Sequence, residues 1–272
     1  MAEVWTRNEV EAAVADYFAM LKKELHRVAY SKAEHWKRLQ PLLNHRTSVD
    51  RKHQNISAVL IELGYPYISG YKPLWNYQEM IRDVVISQVV GDPELASIVS
   101  KAVEKPVETW PNPDRVEIIE PPKKKSISKP PRPTIVRKDY LEIEARNRAL
   151  GNAGEKFVIE LEQRRLAKGG RFDLADRVEH VAETKGDLLG FDVLSFETDG
   201  AERKIEVKTT RFGEWIPFYL SPNEIRVSVH FAPEYFLFRL FNFEREIGLY
   251  IRTGSLEQNF RLEPVRFAAY RE

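Results

Sequence analysis

One short run in the sequence has residue types better suited to chemistry than to packing: Ile205-Glu206-Val207-Lys208. Side chains alternate across a strand, so Glu206 and Lys208 share one face while Ile205 and Val207 take the other. Ahead of this run, Gly190-Phe191-Asp192-Val193 puts an acid at the start of the adjoining strand. A D…E-x-K set on neighbouring strands brings two carboxylates and one ammonium together. Two carboxylates, completed by backbone and water oxygens, suit Mg²⁺, a hard octahedral cation. A lysine beside them can position and help deprotonate a water, or neutralise charge developing on a phosphate. The chemistry is metal-assisted phosphodiester hydrolysis. E-x-K alone is also a common surface ion pair. The weight therefore falls on its combination with Asp192, with Glu155 in the preceding helix, and with the order of elements around them.

Those elements follow from the patterning of the C-terminal half. Gly151-Asn-Ala-Gly154-Glu155 opens a helix running to about Ala167, with Phe157, Val158 and Leu161 as its apolar side. A charged connection follows. Strands are expected at Phe191–Phe196, Lys204–Thr209 and Pro217–Leu220, the first two joined by the hairpin signal Thr198-Asp199-Gly200. Ser221-Pro222-Asn223-Glu224 starts a second helix, with serine as its N-cap and proline in its first turn. Tyr235–Phe241 and Gly248–Arg252 read as further strands. The order is α-β-β-β-α-β.

The N-terminal third reads as all-helical. Thr6 and Glu9 form a capping box ahead of Val10, Val14, Leu21 and Leu25, and Ser31 and Glu34 repeat the signal. Ile56 to Leu63 mark a third helix, stopped by Gly64 and Pro66, and Tyr77 to Val85 a fourth. Between Ser31 and Asn55 there are six Lys or Arg against two acids, among them Arg46 and Lys52, with His53 beside them. That is a plausible phosphate footprint. Tyr65, Tyr67, Tyr71, Trp75 and Tyr77 crowd the following segment; they either stack on bases or cap the helical core.

Charge and proline divide the chain. Residues 1–100 are balanced, with 12 basic and 12 acidic residues; 101–138 hold 10 basic against 5 acidic; 139–272 hold 20 against 24. Eight of the 16 prolines lie between Pro106 and Pro133, and PPKKKSISKPPRP (Pro121 to Pro133) cannot hold a helix or a central strand. It reads as an extended linker in which Lys123, Lys124 and Lys125 either grip phosphate or are merely solvated. Trp110 and Val116–Ile119 are too apolar for a free linker and are expected to dock on a domain. The boundaries are 1–105 for a helical DNA-recognition domain, 106–138 for the linker and 139–272 for an α/β catalytic domain. With no cysteine, disulfides, thiolate-bound zinc, iron–sulfur clusters and thiol catalysis are excluded. No apolar run approaches the ~18 residues of a membrane span, and no signal peptide is expected, so the anticipated setting is the cytoplasm, with no membrane partner.

The stretches GNAGEKFV, KGDLLGFDVLSF, RKIEVKTT and FYLSPNE, within about Gly151 to Tyr270, resemble the domain found at the C-terminus of the plant protein NO VEIN, which also occurs in prokaryotic restriction and defence proteins. That family resembles the PD-(D/E)XK nucleases. The resemblance implies that Asp192 is the motif acid, Glu206 the (D/E), Lys208 the lysine and Glu155 the first-helix acid. Asp192 follows Phe191 where the motif has proline. In the N-terminal third, KAEH (Lys32 to His35), LLN (Leu42 to Asn44) and the segment from Lys52 to Gln78 resemble a module that precedes nuclease domains in modification-dependent restriction proteins. An HNH reading of His45 and His53 lacks the necessary spacing and partners.

The expected function is a Mg²⁺-dependent DNA endonuclease of a restriction or defence type, with modified DNA as a candidate substrate. A homodimer would supply a second site for the second strand, although no residue marks its interface. The rival is a non-catalytic DNA or modification reader on a degenerate nuclease fold. Such a protein would show acids too far apart for a shared metal, or Lys208 buried in a structural ion pair. Among secondary candidates, Asn223 and Glu224 recur in the family but read first as helix capping. Thr209 and Arg211 could meet a phosphate. His180 reads as a surface or packing residue. Arg164, Arg165, Lys168 and Arg171 make a basic run that is either solvated or DNA-facing.

Overall fold

The structure is a computed structural model that describes residues 5–43, 49–122, 140–185 and 187–265. Arg46, Lys123, Lys124 and Lys125 lie outside the described residues. The chain separates into two compact units: the described parts of Met1–Glu108, Pro122–Ala149 and Thr210–Phe218 form one, and those of Thr109–Pro121, Leu150–Thr209 and Tyr219–Glu272 the other.

The first unit is helical. Its elements are α1 (Arg7–Leu25), α2 (Lys32–Leu39), α3 (Val49–Glu62), α4 (Glu79–Gly91), α5 (Pro93–Glu104) and α6 (Tyr140–Ala145). The capping box at Thr6 forms as expected, and Ser31 accepts from the Glu34 N–H. Val14, Tyr17, Leu21, Val59, Leu60 and Val85 meet in the core, each contributing roughly 1.5–3 kcal/mol of burial. Two helices went unanticipated. Asp92 caps α5 with Pro93 in its first turn, and Leu95, Val99 and Val103 bury one side of it. Tyr140 opens α6 inside the same core, its hydroxyl donating to Ala96 O at 3.1 Å. Residues 140–149 thus belong to the helical unit, a correction to the boundary at 139.

The second unit is a mixed α/β structure. It contains β1 (Glu117–Ile118), α7 (Arg148–Lys168, from Leu150 onward in this unit), α8 (Phe172–Ala175), β2 (Glu179–His180), α9 (Val181–Thr184), β3 (Val193–Phe196), β4 (Glu202–Thr209), α10 (Pro222–His230), β5 (Tyr235–Phe241), β6 (Gly248–Thr253) and α11 (Leu256–Asn259). The six strands lie in the order β1-β6-β5-β4-β3-β2. Strand β4 pairs antiparallel with β3 and parallel with β5. Val116–Ile119 does dock: Glu117 and Ile118 extend the sheet along β6.

The expected strand at Pro217–Leu220 does not form. Both edges of β4 are already taken by β3 and β5, and Pro217 has no N–H to donate. The third strand comes instead from the charged connection, where Glu179 and His180 pair with Leu194 and Val193. Residues 210–218 belong with the helical unit. Among the described residues, no helix is long and apolar enough to cross a membrane.

Candidate active site

The candidate site is built around β4 near the centre of the sheet. Val193 pairs with Ile205, which sets Asp192 opposite Glu206 across the β3–β4 ladder. The Asp192 N–H donates to Ile205 O at 2.9 Å, fixing its backbone to β4. Ile205, Val207 and Thr209 face one side of the sheet, and there α7 crosses closely. A Cβ at Gly154 would overlap Thr209 Oγ1 and sit 3.0 Å from Thr209 Cβ. Glycine is what lets the helix carrying Glu155 approach. Glu206 and Lys208 face the other side, against α10.

Lys208 lies between two carboxylates. Its Nζ is 2.6 Å from Glu206 Oε1 and 3.1 Å from Glu224 Oε2. Glu206 is almost wholly buried, at 2% exposure. The Val207 N–H donates to Asp192 Oδ2 at 2.8 Å. Glu155 Oε2 is 2.6 Å from His180 Nε2, and the Nδ1 of the same ring is 3.0 Å from Glu183 Oε2. The turn before β3 is held by Gly190 at φ +72°, where a Cβ would come 2.8 Å from Val227 Cγ2 of α10. The buried Tyr235 hydroxyl donates to Gly190 O at 3.0 Å.

Acids outnumber the one ammonium in this cluster. Burial, opposed by Lys208 and reinforced by Glu155, pushes the Asp192 carboxyl up to about 7. Burial and the facing Asp192 carboxylate push Glu206 well above the usual carboxylate range. Burial works against the charge of Lys208, but Glu206, Glu224 and Asp192 outweigh it and raise its pKa, so it stays an ammonium. Repulsion among these acids leaves room for added positive charge, and their donors are hard oxygens on adjacent strands. A divalent, oxygen-seeking cation such as Mg²⁺ fits both features. Among the described residues, no ready-made group of three or more His, Asp or Glu side chains is gathered for a metal ion. Asp192 and Glu206 would therefore hold it with water and backbone oxygens.

Four expected site residues, Asp192, Glu206, Lys208 and Glu155, fall in this one unit; Asp192, Glu206 and Lys208 act on one another, and Glu155, from the helix on the other face, acts on Asp192. Two residues were undervalued in the sequence. His180 is a partner of Glu155 rather than a surface residue, and Glu224 reaches Lys208 as well as capping its helix. A lone histidine in a charged connection gave no signal of this, whereas the shared LSPNE run did. Thr209 Oγ1 is buried against Gly154, and the Arg211 N–H is spent on Glu144 Oε1 in the helical unit. Neither presents itself beside the cluster. The basic run is matched by acids: Arg164 by Asp114 and Glu160, Arg165 by Glu162, Arg171 by Asp173.

The expected DNA contacts of the helical unit fare differently. His53 and Tyr71 are buried, at 2% and 6% exposure, and have no surface to offer a phosphate or a base. Trp75 packs against the cluster of Ile61, Tyr67 and Ile216. The aromatic segment caps the helical core because each ring finds an apolar or polar partner there: Tyr65 meets Tyr140 edge-on at 4.8 Å, and the Tyr77 hydroxyl donates to Glu62 at 2.6 Å. Lys52 is half-buried with its Nζ 5.0 Å over the Trp5 ring.

Comparison with known proteins agrees with the reading of the C-terminal half. Residues 154–251 match the family described as Protein NO VEIN, C-terminal. This segment spans Gly154 and Glu155, the Asp192–Lys208 hairpin, α10 and most of β6. No curated protein and no solved structure matches the chain.

Proposed function

We propose that the chain is a Mg²⁺-dependent DNA endonuclease of a restriction or defence type, with modified DNA as a candidate substrate, in which the helical unit contributes recognition and the α/β unit cuts. The observation that carries this reading is the cluster of Asp192, Glu206 and Lys208 on adjoining central strands, with Glu155 acting on Asp192 from α7. Asp192 and Glu206 are the residues that would hold the cation. When bound, such an ion activates water and offsets the charge that develops on the phosphate. Lys208 orients the nucleophilic water and donates to the phosphate oxygens. Glu155, held by His180, completes the acid set. Cutting both strands calls for two such sites, which a homodimer would bring.

A second reading, a non-catalytic reader of DNA or its modifications, draws on the two ion pairs of Lys208, the arrangement a degenerate site would show. One assay separates the two. Unmodified, cytosine-methylated, hydroxymethylated and glucosylated DNA are incubated with Mg²⁺ and the wild-type protein or Lys208→Ala. Cleavage of one class, lost in the variant and in EDTA, is expected. Tight binding to one class with no cleavage of any overturns the nuclease reading in favour of the reader.

A further inference from the structure

Glu224 does two jobs with one oxygen. Its Oε2 accepts the Ser221 N–H at 3.1 Å, closing the capping box of α10, and lies 3.1 Å from Lys208 Nζ. The helix start that carries it is pinned: Asn223 Nδ2 donates to Leu188 O at 2.8 Å, and Val227 packs against the Gly190 turn. Glu224 therefore presents a fixed carboxylate to Lys208 from the side away from β4.

This matters because Glu206 is claimed twice. Lys208 Nζ is 2.6 Å from Glu206 Oε1, on the same carboxylate that a cation held by Asp192 and Glu206 would use. A divalent cation on that carboxylate and the ammonium against it repel each other at this range. The ammonium has to withdraw, and a buried ammonium withdraws only toward another anion. Among the described residues, Glu224 is the other carboxylate paired with Lys208. We propose that Glu224 is a positioning residue that takes up Lys208 when a divalent cation claims Glu206, leaving the ammonium poised beside the ion instead of competing with it. This rests on the reading of the Asp192–Glu206 pair as a metal site.

The test is a double-mutant cycle on Mn²⁺ affinity, measured by calorimetry on the full chain. Glu224→Gln keeps an oxygen for the Ser221 N–H, so the cap survives while the charge is lost. It is expected to weaken Mn²⁺ binding about 10-fold in the wild-type background and less than about 2-fold in a Lys208→Met background. Equal losses in both backgrounds overturn the proposal, since Glu224 would then act on the cation directly. No loss in either also overturns it. If Lys208→Met does not fold, ¹⁵N-lysine NMR of the wild type and Glu224→Gln decides. The Lys208 ammonium signal should persist on Mn²⁺-free, Mg²⁺-loaded wild type and broaden into solvent exchange in the variant; identical spectra refute the proposal. Cleavage without coupling removes this inference and leaves the nuclease reading standing. Coupling without cleavage does the reverse, and a wild type that binds neither ion removes both.

Discussion

The two units each bury a knot of ionisable groups, and the knots are built differently. In the helical unit Asp16 Oδ1 is 2.6 Å from His35 Nδ1, and His35 Nε2 is 3.3 Å from Lys23 Nζ. His53 lies edge-on to Tyr17 and Tyr71, with ring centroids 5.6 and 4.9 Å away. Here the acid is paired with a base, burial keeps the neighbouring His53 from taking up a proton, and the groups tie α1, α2 and α3 to one another. In the α/β unit several acids converge on one ammonium, and two of them are held away from their preferred charge state. A matched knot stabilises a fold. An unmatched one costs stability and is retained where something else supplies the missing charge. His35 of the KAEH run and His53, read in the sequence as part of a phosphate footprint, thus acquire a structural account.

The largest expected effect breaks the unmatched knot. Asp192→Asn should lower Mg²⁺-dependent cleavage by about 10³-fold, since an amide is a poor ligand for a hard cation and cannot balance its charge. It also removes a repulsion with Glu206, so thermal melting should stay level or rise. Rate and melting temperature moving in opposite directions would mark a functional acid. A fall in both would make Asp192 structural and erase the contrast between the units.

Next comes the matched knot, through pH. Burial, with the charges of His35 and Lys32 adding to it, holds His53 at about 4. A backbone hydrogen bond at Ala13 pulls the other way but too weakly to prevail. The folded pKa is thus below the ordinary value of ~6.5, and the unfolded chain binds the extra proton first. This stability is complete above pH ~6.5, falls as pH drops toward 4, and amounts to up to about 3 kcal/mol. Urea midpoints for the full chain across that range should slope downward with acid, and His53→Leu should flatten the slope. An unchanged slope would mean that His53 is not the group responsible.

These contrasts also show how far the sequence could be read. Capping boxes at Thr6 and Ser221, the Asp199-Gly200 turn and the strand Tyr235–Phe241 rest on local physics, and all appear in the structure. The acids and lysine of β3 and β4 were legible because alternation and hairpin register are short-range. What was not legible depends on contacts distant in sequence. Pro217–Leu220 has strand composition but no free edge to join. The two-residue β2 is too short to leave a periodic signal, yet it brings His180 to Glu155. Tyr71 and Trp75 have the composition of a stacking surface, and only the packing of α1, α3 and residues 210–218 shows them turned inward.

A smaller effect tests whether α7 must lie so close. Gly154→Ala puts a methyl group into Thr209 Oγ1, so either helix or strand must move, at roughly 1–3 kcal/mol. Cleavage should fall about 10-fold as Glu155 shifts, a scale set by sub-ångström misplacement of catalytic groups. Adding Thr209→Ala removes the hydroxyl and should restore most of the loss. Failure of that rescue would mean that the glycine serves something other than the approach of α7 to β4.

The smallest effect concerns His180, which bridges the two kinds of chemistry. Its ring joins Glu155 to Glu183, so it is a matched element inside the unmatched unit. Removing it should not disturb β4, because β2 contributes only two residues at the sheet edge. It should only loosen Glu155. His180→Gln keeps a donor within reach but loses the second contact at a fixed angle, so cleavage should fall by about 3-fold to 10-fold with little change in melting, in line with partners that orient metal-site acids. If Glu155→Gln is introduced first, His180→Gln should have no further effect on rate. A loss that adds fully to that of Glu155→Gln would show His180 acting on the reaction by itself, and the site would then need a base that the acid cluster alone does not provide.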